Sequence, residues 1–159
     1  MAIEIERKFL VRNADWRKQT VSVMRIRQAY LANTDTCSIR VRIVSDDVAW
    51  ITIKSTQVGT TRSEFEYVVP ASDADQLFAL CQNATIEKNR HIVPIGDLVW
   101  EIDEFLGDNA GLVIAEVELA SADQAIDRPA WLGEEVSNDR RYFNSQLTRH
   151  PYRDWPDNS

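Results

Sequence analysis

Apolar and charged residues alternate through most of the first 120 positions of this chain, and the alternation predicts strands. Successive side chains of a strand point to opposite faces, so a period of two separates a core face from a polar one. Residues 3–12 set Ile3, Ile5, Phe9 and Val11 against Glu4, Glu6 and Lys8. Residues 22–31 read as a second strand. Residues 37–44 alternate Ile39, Val41 and Ile43 with Arg40 and Arg42, then break at the turn-rich Ser45-Asp46-Asp47. The pattern resumes over 48–55, with Ala49, Ile51 and Ile53 opposed to Trp50, Thr52 and Lys54, which makes the pair a hairpin. Arg62 to Val69 is a fifth strand, with Arg62, Glu64 and Glu66 on one face and Phe65, Tyr67 and Val69 on the other. Strands at 84–93 and 98–105 flank an expected turn at Pro94-Ile95-Gly96-Asp97, and 112–120 is the last clear strand.

Helices are expected between these runs. A short one within 13–20 turns Trp16 inward, and a longer one follows Pro70 over 72–82 with Ser72 as its N-cap. A third opens at Ser121-Ala122-Asp123 and ends before Pro129, and a helical segment is expected over about 138–150. The tail from Pro151 to Ser159 reads as frayed. About eight mostly hairpin-connected strands with two to four helices predict one α+β domain over residues 1–159, built on an antiparallel sheet.

The polar faces of these strands are densely ionic and mixed in sign. In order they carry Glu4, Glu6 and Lys8; Arg40 and Arg42; Lys54; Glu64 and Glu66; Lys88 and Arg90; Glu101 and Asp103; Glu116 and Glu118. A solvated sheet face with cross-strand ion pairs explains any one of these pairs. It explains the whole set poorly, because like charges recur at spacing two within single strands. Around a closed barrel they line one interior, where unpaired charges cost several kcal/mol each. A polyanion neutralises the Arg and Lys groups, and Mg²⁺ or Mn²⁺ neutralises the carboxylates, so a metal-bound linear polyphosphate satisfies both halves.

Composition narrows the classes. The charge is −7, from 18 Lys and Arg against 25 Asp and Glu, and the pI is about 4.8, which argues against nucleic acid as the main partner. No apolar run approaches the roughly 20 residues of a membrane span, and charges interrupt the N-terminus at once, so a cytoplasmic location is expected. Cys37 and Cys81 make no disulfide framework. No Ser or Cys stands in a nucleophile motif. His91 is out of phase with Lys88 and Arg90, and His150 lies in the tail, so neither reads as a general base.

These residues resemble the CYTH superfamily, the triphosphate tunnel metalloenzymes. The resemblance rests on Glu4-x-Glu6-x-Lys8, Arg40-x-Arg42, Lys54, Glu64-x-Glu66, Lys88-x-Arg90, Asp103 and Glu116-x-Glu118, in order from residue 4 to 118, and on Arg140, Arg141, Tyr142 and Asn144 near the C-terminus. It implies a closed antiparallel eight-stranded β-barrel, a tunnel with helices packed outside, and a divalent-metal-dependent enzyme acting on a triphosphate. The short form looks most like bacterial-type inorganic tripolyphosphatases. By that resemblance Lys8, Arg40, Arg42, Lys54, Lys88 and Arg90 bind phosphate oxygens. Glu4, Glu6, Asp103, Glu116 and Glu118 hold one or two metals, joined by Glu64 and Glu66 unless these orient the arginines. Glu4 and Lys8 are the expected catalytic residues.

Several alternatives stay open at this point. Arg25, Arg27 and Arg62 read equally as substrate contacts or as rim contacts and surface ion pairs, and Tyr30 as packing. Trp50 and Trp100 read as core, though a place near a mouth is possible by position. A thiamine-triphosphatase, a nucleoside or RNA triphosphatase and an adenylate cyclase use the same cage. A polyphosphate-binding module without turnover is the competing class. The substrate is a small polyphosphate, and the oligomeric state is open.

Overall fold

The computed structural model describes residues 3–56 and 59–156. Nine strands form one antiparallel sheet: β1 Ile3–Val11, β2 Ser22–Asn33, β3 Cys37–Val44, β4 Val48–Ser55, β5 Thr61–Val69, β6 Gln82–Ile95, β7 Leu98–Phe105, β8 Val113–Glu118 and β9 Leu132–Glu135. Their order is β5-β4-β3-β2-β6-β7-β8-β1-β9, and an additional β5–β1 pairing closes the first eight into a barrel.

Closure depends on β1 changing partners along its length. Ile3, Glu4 and Ile5 pair with Ser63, Arg62 and Thr61 of β5. Residues Glu6 to Leu10 pair with β8, and Phe9 and Val11 pair with β9. Gly133 lets β9 approach, since a Cβ there would stand 2.9 Å from the Leu10 carbonyl oxygen. The β3–β4 turn uses positive φ at Ser45 and Asp46, and the β6–β7 turn uses it at Gly96.

The packed core lies mostly outside the barrel wall. Phe9, Val93, Trp100, Ala115 and Val117 of β1, β6, β7 and β8 pack with Trp131 and Leu132, and with Trp16 from a 3-10 turn over Asp15–Gln19. Helix α1, Ala71–Leu80, covers the opposite side through Ala74 against Ile43 and Ala49.

A second cluster fills one end of the barrel. By strand parity Leu10, Ile86, Phe105 and Ile114 continue the inward rows that hold Lys8, Lys88, Asp103 and Glu116. They pack with Val136, Tyr142, Leu147 and Trp155 of the C-terminal segment. The barrel interior is therefore apolar and capped at one end and ionic along the rest.

Five local expectations change. Residues 121–128 form a turn and extended chain with no helix. Residues 139–149 hold a 3-10 turn, Arg140–Tyr142, and one helical turn, α2, Asn144–Leu147. Pro94 stays inside β6, because it lies past Ile92, the last residue β2 pairs with, and so removes no bond from that ladder. Helix α1 starts at Ala71 behind Pro70, with no Ser72 side-chain cap. In the tail, Trp155 is buried against Tyr142 and Tyr152; residues 157–159 lie outside the described residues.

Candidate active site

The barrel encloses a cavity of about 570 Å³. Every site residue expected from the sequence lines it except Asp103: Glu4, Glu6, Lys8, Arg40, Arg42, Lys54, Glu64, Glu66, Lys88, Arg90, Glu116 and Glu118. Glu101 lines it too. The strands achieve this because all these residues share one parity, and closure points that parity inward.

One group of cations is matched by carboxylates. Lys54 Nζ lies 2.8 Å from Glu4 and 3.4 Å from Glu64. Lys8 Nζ stands 3.5 Å from both Glu6 and Glu116. Burial works against the Lys8 ammonium, but Glu116 and Glu6 outweigh it and raise its pKa. Burial likewise opposes the Glu6 carboxylate, and Lys8 and Lys54 hold its pKa below the usual value.

Asp103 sits behind this wall. It is 0 % exposed and does not line the cavity. Arg90 donates to both its oxygens, at 2.8 and 2.9 Å, and Lys88 Nζ is 2.7 Å from Oδ2. Both oxygens thus accept from cations, which ties Asp103 to Arg90 and Lys88. Burial raises the Asp103 pKa, but Arg90 and Lys88 overcome it and keep the group ionised. Arg90 is raised well above its ordinary value, since Asp103 outweighs its burial. Lys88 is pushed down to about 7 by burial, aided by Arg90 and Arg42 and opposed by Asp103.

A second group of cations has no carboxylate partner among the described residues. Arg42 donates from Nε only to the Gln28 side-chain oxygen, at 2.8 Å, and burial with Arg40 and Arg90 lowers its pKa to about 9. Arg40 Nε is buried with no hydrogen-bond partner there. Arg62 lies 4.2 Å over the Phe143 ring and lines the cavity. Its phase with Glu64 and Glu66 was the signal for that position. Arg25 and Arg27 instead form outer ion pairs with Glu87 at 2.7 Å and Asp46 at 3.4 Å.

The carboxylates show the converse imbalance. Glu118 is exposed at the rim, and its pKa is raised by burial and then by Glu4, Glu6, Glu101 and Glu66. Such a rim fits a hard divalent cation. Among the described residues no three His, Cys, Asp or Glu side chains converge as a ready-made metal cage. An ion there needs further oxygens from water or from a bound anion, as Mg²⁺ ordinarily does.

The C-terminal segment supplies cavity residues that sequence parity could not reveal: Arg140, Phe143, Asn144, Ser145, Gln146 and Arg149. Tyr30 lines the wall. Trp100 is fully buried in the core and Trp50 is not a lining residue. His91 faces outward, its Nε2 3.2 Å from Glu104 and its ring against Trp16. No helix among the described residues is long and apolar enough to cross a membrane.

Comparison with known proteins agrees with this geometry. A family model described as the CYTH domain matches residues 2–151. An inorganic triphosphatase of Acetivibrio thermocellus is 40% identical over 156 residues, covering 98% of this chain and 99% of that protein. A second, from Nitrosomonas europaea, is 35% identical over 148 residues, covering 91% and 95%. A crystal structure of an inorganic triphosphatase superposes with a TM-score of 0.67 at 33% identity, over 91% of this chain and 97% of the other.

Proposed function

The chain belongs to the CYTH domain family, and on that premise we propose that it is a divalent-metal-dependent phosphohydrolase. Its substrate is inorganic tripolyphosphate, which it cleaves to pyrophosphate and phosphate. The observation that carries this reading is a double deficit inside one enclosed cavity. Among the described residues Arg40, Arg42 and Arg62 form no ion pair with a carboxylate, and at the cavity rim Glu118 has its pKa raised by four other carboxylates. A metal-bound polyphosphate supplies both missing charges.

Each residue then has a definite task. Arg40, Arg42 and Arg62 take phosphate oxygens through the planar donor fork of guanidinium. Lys8, Lys54, Lys88 and Arg90 add positive charge in positions fixed by their carboxylate partners. Lys8 stays charged between Glu6 and Glu116 and faces the cavity, where it offsets negative charge on the phosphoryl group as water attacks in line. Glu4 is oriented by Lys54. Glu4, Glu6, Glu116 and Glu118, with Glu64 and Glu66, would hold Mg²⁺ or Mn²⁺. When bound, such an ion neutralises phosphate charge and lowers the pKa of coordinated water. Asp103, which accepts from both, positions Arg90 and Lys88.

The lining also favours an inorganic substrate over a nucleotide or thiamine ester. Its aromatic residues are Tyr30 and Phe143; Tyr30 is buried in the wall and Phe143 is covered by Arg62. Neither offers an open stacking surface for a base or a thiazolium ring. Phosphate release should be measured from tripolyphosphate, pyrophosphate, ATP and thiamine triphosphate with Mg²⁺ and Mn²⁺. Tripolyphosphate should give the highest kcat/KM, and only with metal present. Tight binding without release would identify a binding module, and faster release from ATP would contradict the substrate assignment.

A further inference from the structure

Two of the cavity cations are met by neutral amides. Arg42 Nε donates to Gln28 Oε1 at 2.8 Å. Gln28 Nε2 donates to Asn144 Oδ1 at 3.1 Å, and Lys88 Nζ donates to the same oxygen at 2.8 Å. Gln28 is fully buried, and its orientation is fixed by its partners: its oxygen must face the guanidinium, so its NH₂ faces Asn144. Asn144 Oδ1 is then the acceptor for two donors at once. The segment that carries Asn144 is tied to β2 a second time, by Asn33 Nδ2 to the Ser145 carbonyl at 3.2 Å and by Arg149 to the Asn33 carbonyl at 2.9 Å.

We propose that Gln28 and Asn144 are positioning residues, a neutral relay that holds Arg42 toward the substrate anion without cancelling its charge and shares Lys88 with Asp103 without adding a second carboxylate to it. The inference rests on the triphosphatase reading above and names residues that set its affinity. A carboxylate in place of Asn144 satisfies the same two donors and neutralises one of them, which weakens attraction for a polyanion. No acceptor at all leaves long side chains to be ordered when the anion binds, which also weakens binding. An amide avoids both costs. The relay also ties the C-terminal segment to the anion-binding wall, since its last member comes from α2.

The test compares Asn144→Asp and Asn144→Ala with the wild type in three measurements. These are thermal melting, calorimetric binding of tripolyphosphate in chelator, and steady-state phosphate release with Mn²⁺. Asn144→Asp should melt at or above the wild-type temperature and bind tripolyphosphate at least about tenfold more weakly, a difference of about 1.4 kcal/mol. Its KM should rise with little change in kcat. Asn144→Ala should melt lower than either, yet bind better than Asn144→Asp, so that stability and affinity rank in opposite order. A smaller loss in Asn144→Asp, failure of that variant to fold, or affinity that follows melting temperature across the three proteins overturns the relay. A wild-type protein that neither binds nor hydrolyses tripolyphosphate overturns the triphosphatase reading, and the relay with it.

Discussion

Replacing Asp103 with Asn removes one negative charge from a fully buried site where Arg90 and Lys88 both point at it. Removing one partner of a buried ion pair costs about 3–5 kcal/mol when the remaining charge is left without compensation. The lower end applies here, because Glu101, 3.3 Å from Arg90, and Glu116, at 3.9 Å, stay in place. At 1 kcal/mol for every 2–4 °C in a chain of this size, that is a fall in Tm of roughly 10 °C. The cost depends on pH in a definite direction. Lys88 already has its pKa lowered to about 7 in the fold, against 10.5 as its ordinary value. Near pH 9 it is largely neutral with or without Asp103, and the loss is that of Arg90 alone. Near pH 6 the wild-type Lys88 is protonated and paired, so the variant loses that pairing as well. Urea denaturation of Asp103→Asn and wild type at pH 6, 7.5 and 9, in chelator, should show a loss that grows as the pH falls. A loss below about 1 kcal/mol at all three values, or one larger at pH 9 than at pH 6, would refute the positioning role of Asp103.

Other expectations follow from the same charges. Glu118→Gln should abolish metal-dependent phosphate release while melting at least as high as wild type in chelator at pH 8. The folded pKa of Glu118 is raised, so its ionisation destabilises the fold as pH climbs through that raised value; a wild type more stable than the variant would contradict the crowding. Arg42→Ala should raise KM by roughly 10- to 100-fold, the loss of one charged hydrogen bond, and an unchanged KM would count against its contact with the anion. Tripolyphosphate binding at pH 8 should take up protons, because an anion beside Lys88 restores the charge that burial suppresses. Calorimetry in buffers of different ionisation enthalpy measures the uptake, and proton release would have the wrong sign.

The barrel was legible because its rule is local. From Glu4 to Glu118, each strand alternates charge with apolar residues, and strand ends mostly fell within two residues of their expected places. What stayed hidden depends on contacts distant in sequence. The four residues of β9, Leu-Gly-Glu-Glu, have no alternation, and they form a strand only because Gly133 lets them lie against β1. The absent helix after Ser121 had a plausible cap, but Ile126 and Trp131 are drawn onto the barrel wall. Asp103 has the parity of a ligand, yet the neighbours across β6 claim both its oxygens. Gln28 and Asn144 carry no charge pattern, and 116 residues separate the bond that joins them. Trp155 looked like tail and is packed, since the open end of the barrel offered it an apolar seat.

The central claim is that the cavity itself holds the metal-bound triphosphate. Crystals grown with tripolyphosphate and Mn²⁺ and measured at the manganese absorption edge address it directly. An anomalous peak beside Glu4, Glu6 and Glu118, with the phosphate chain against Arg40, Arg42 and Arg62, is the expected result. Manganese and phosphate on the outer face of the barrel, with the cavity filled only by water, would contradict it.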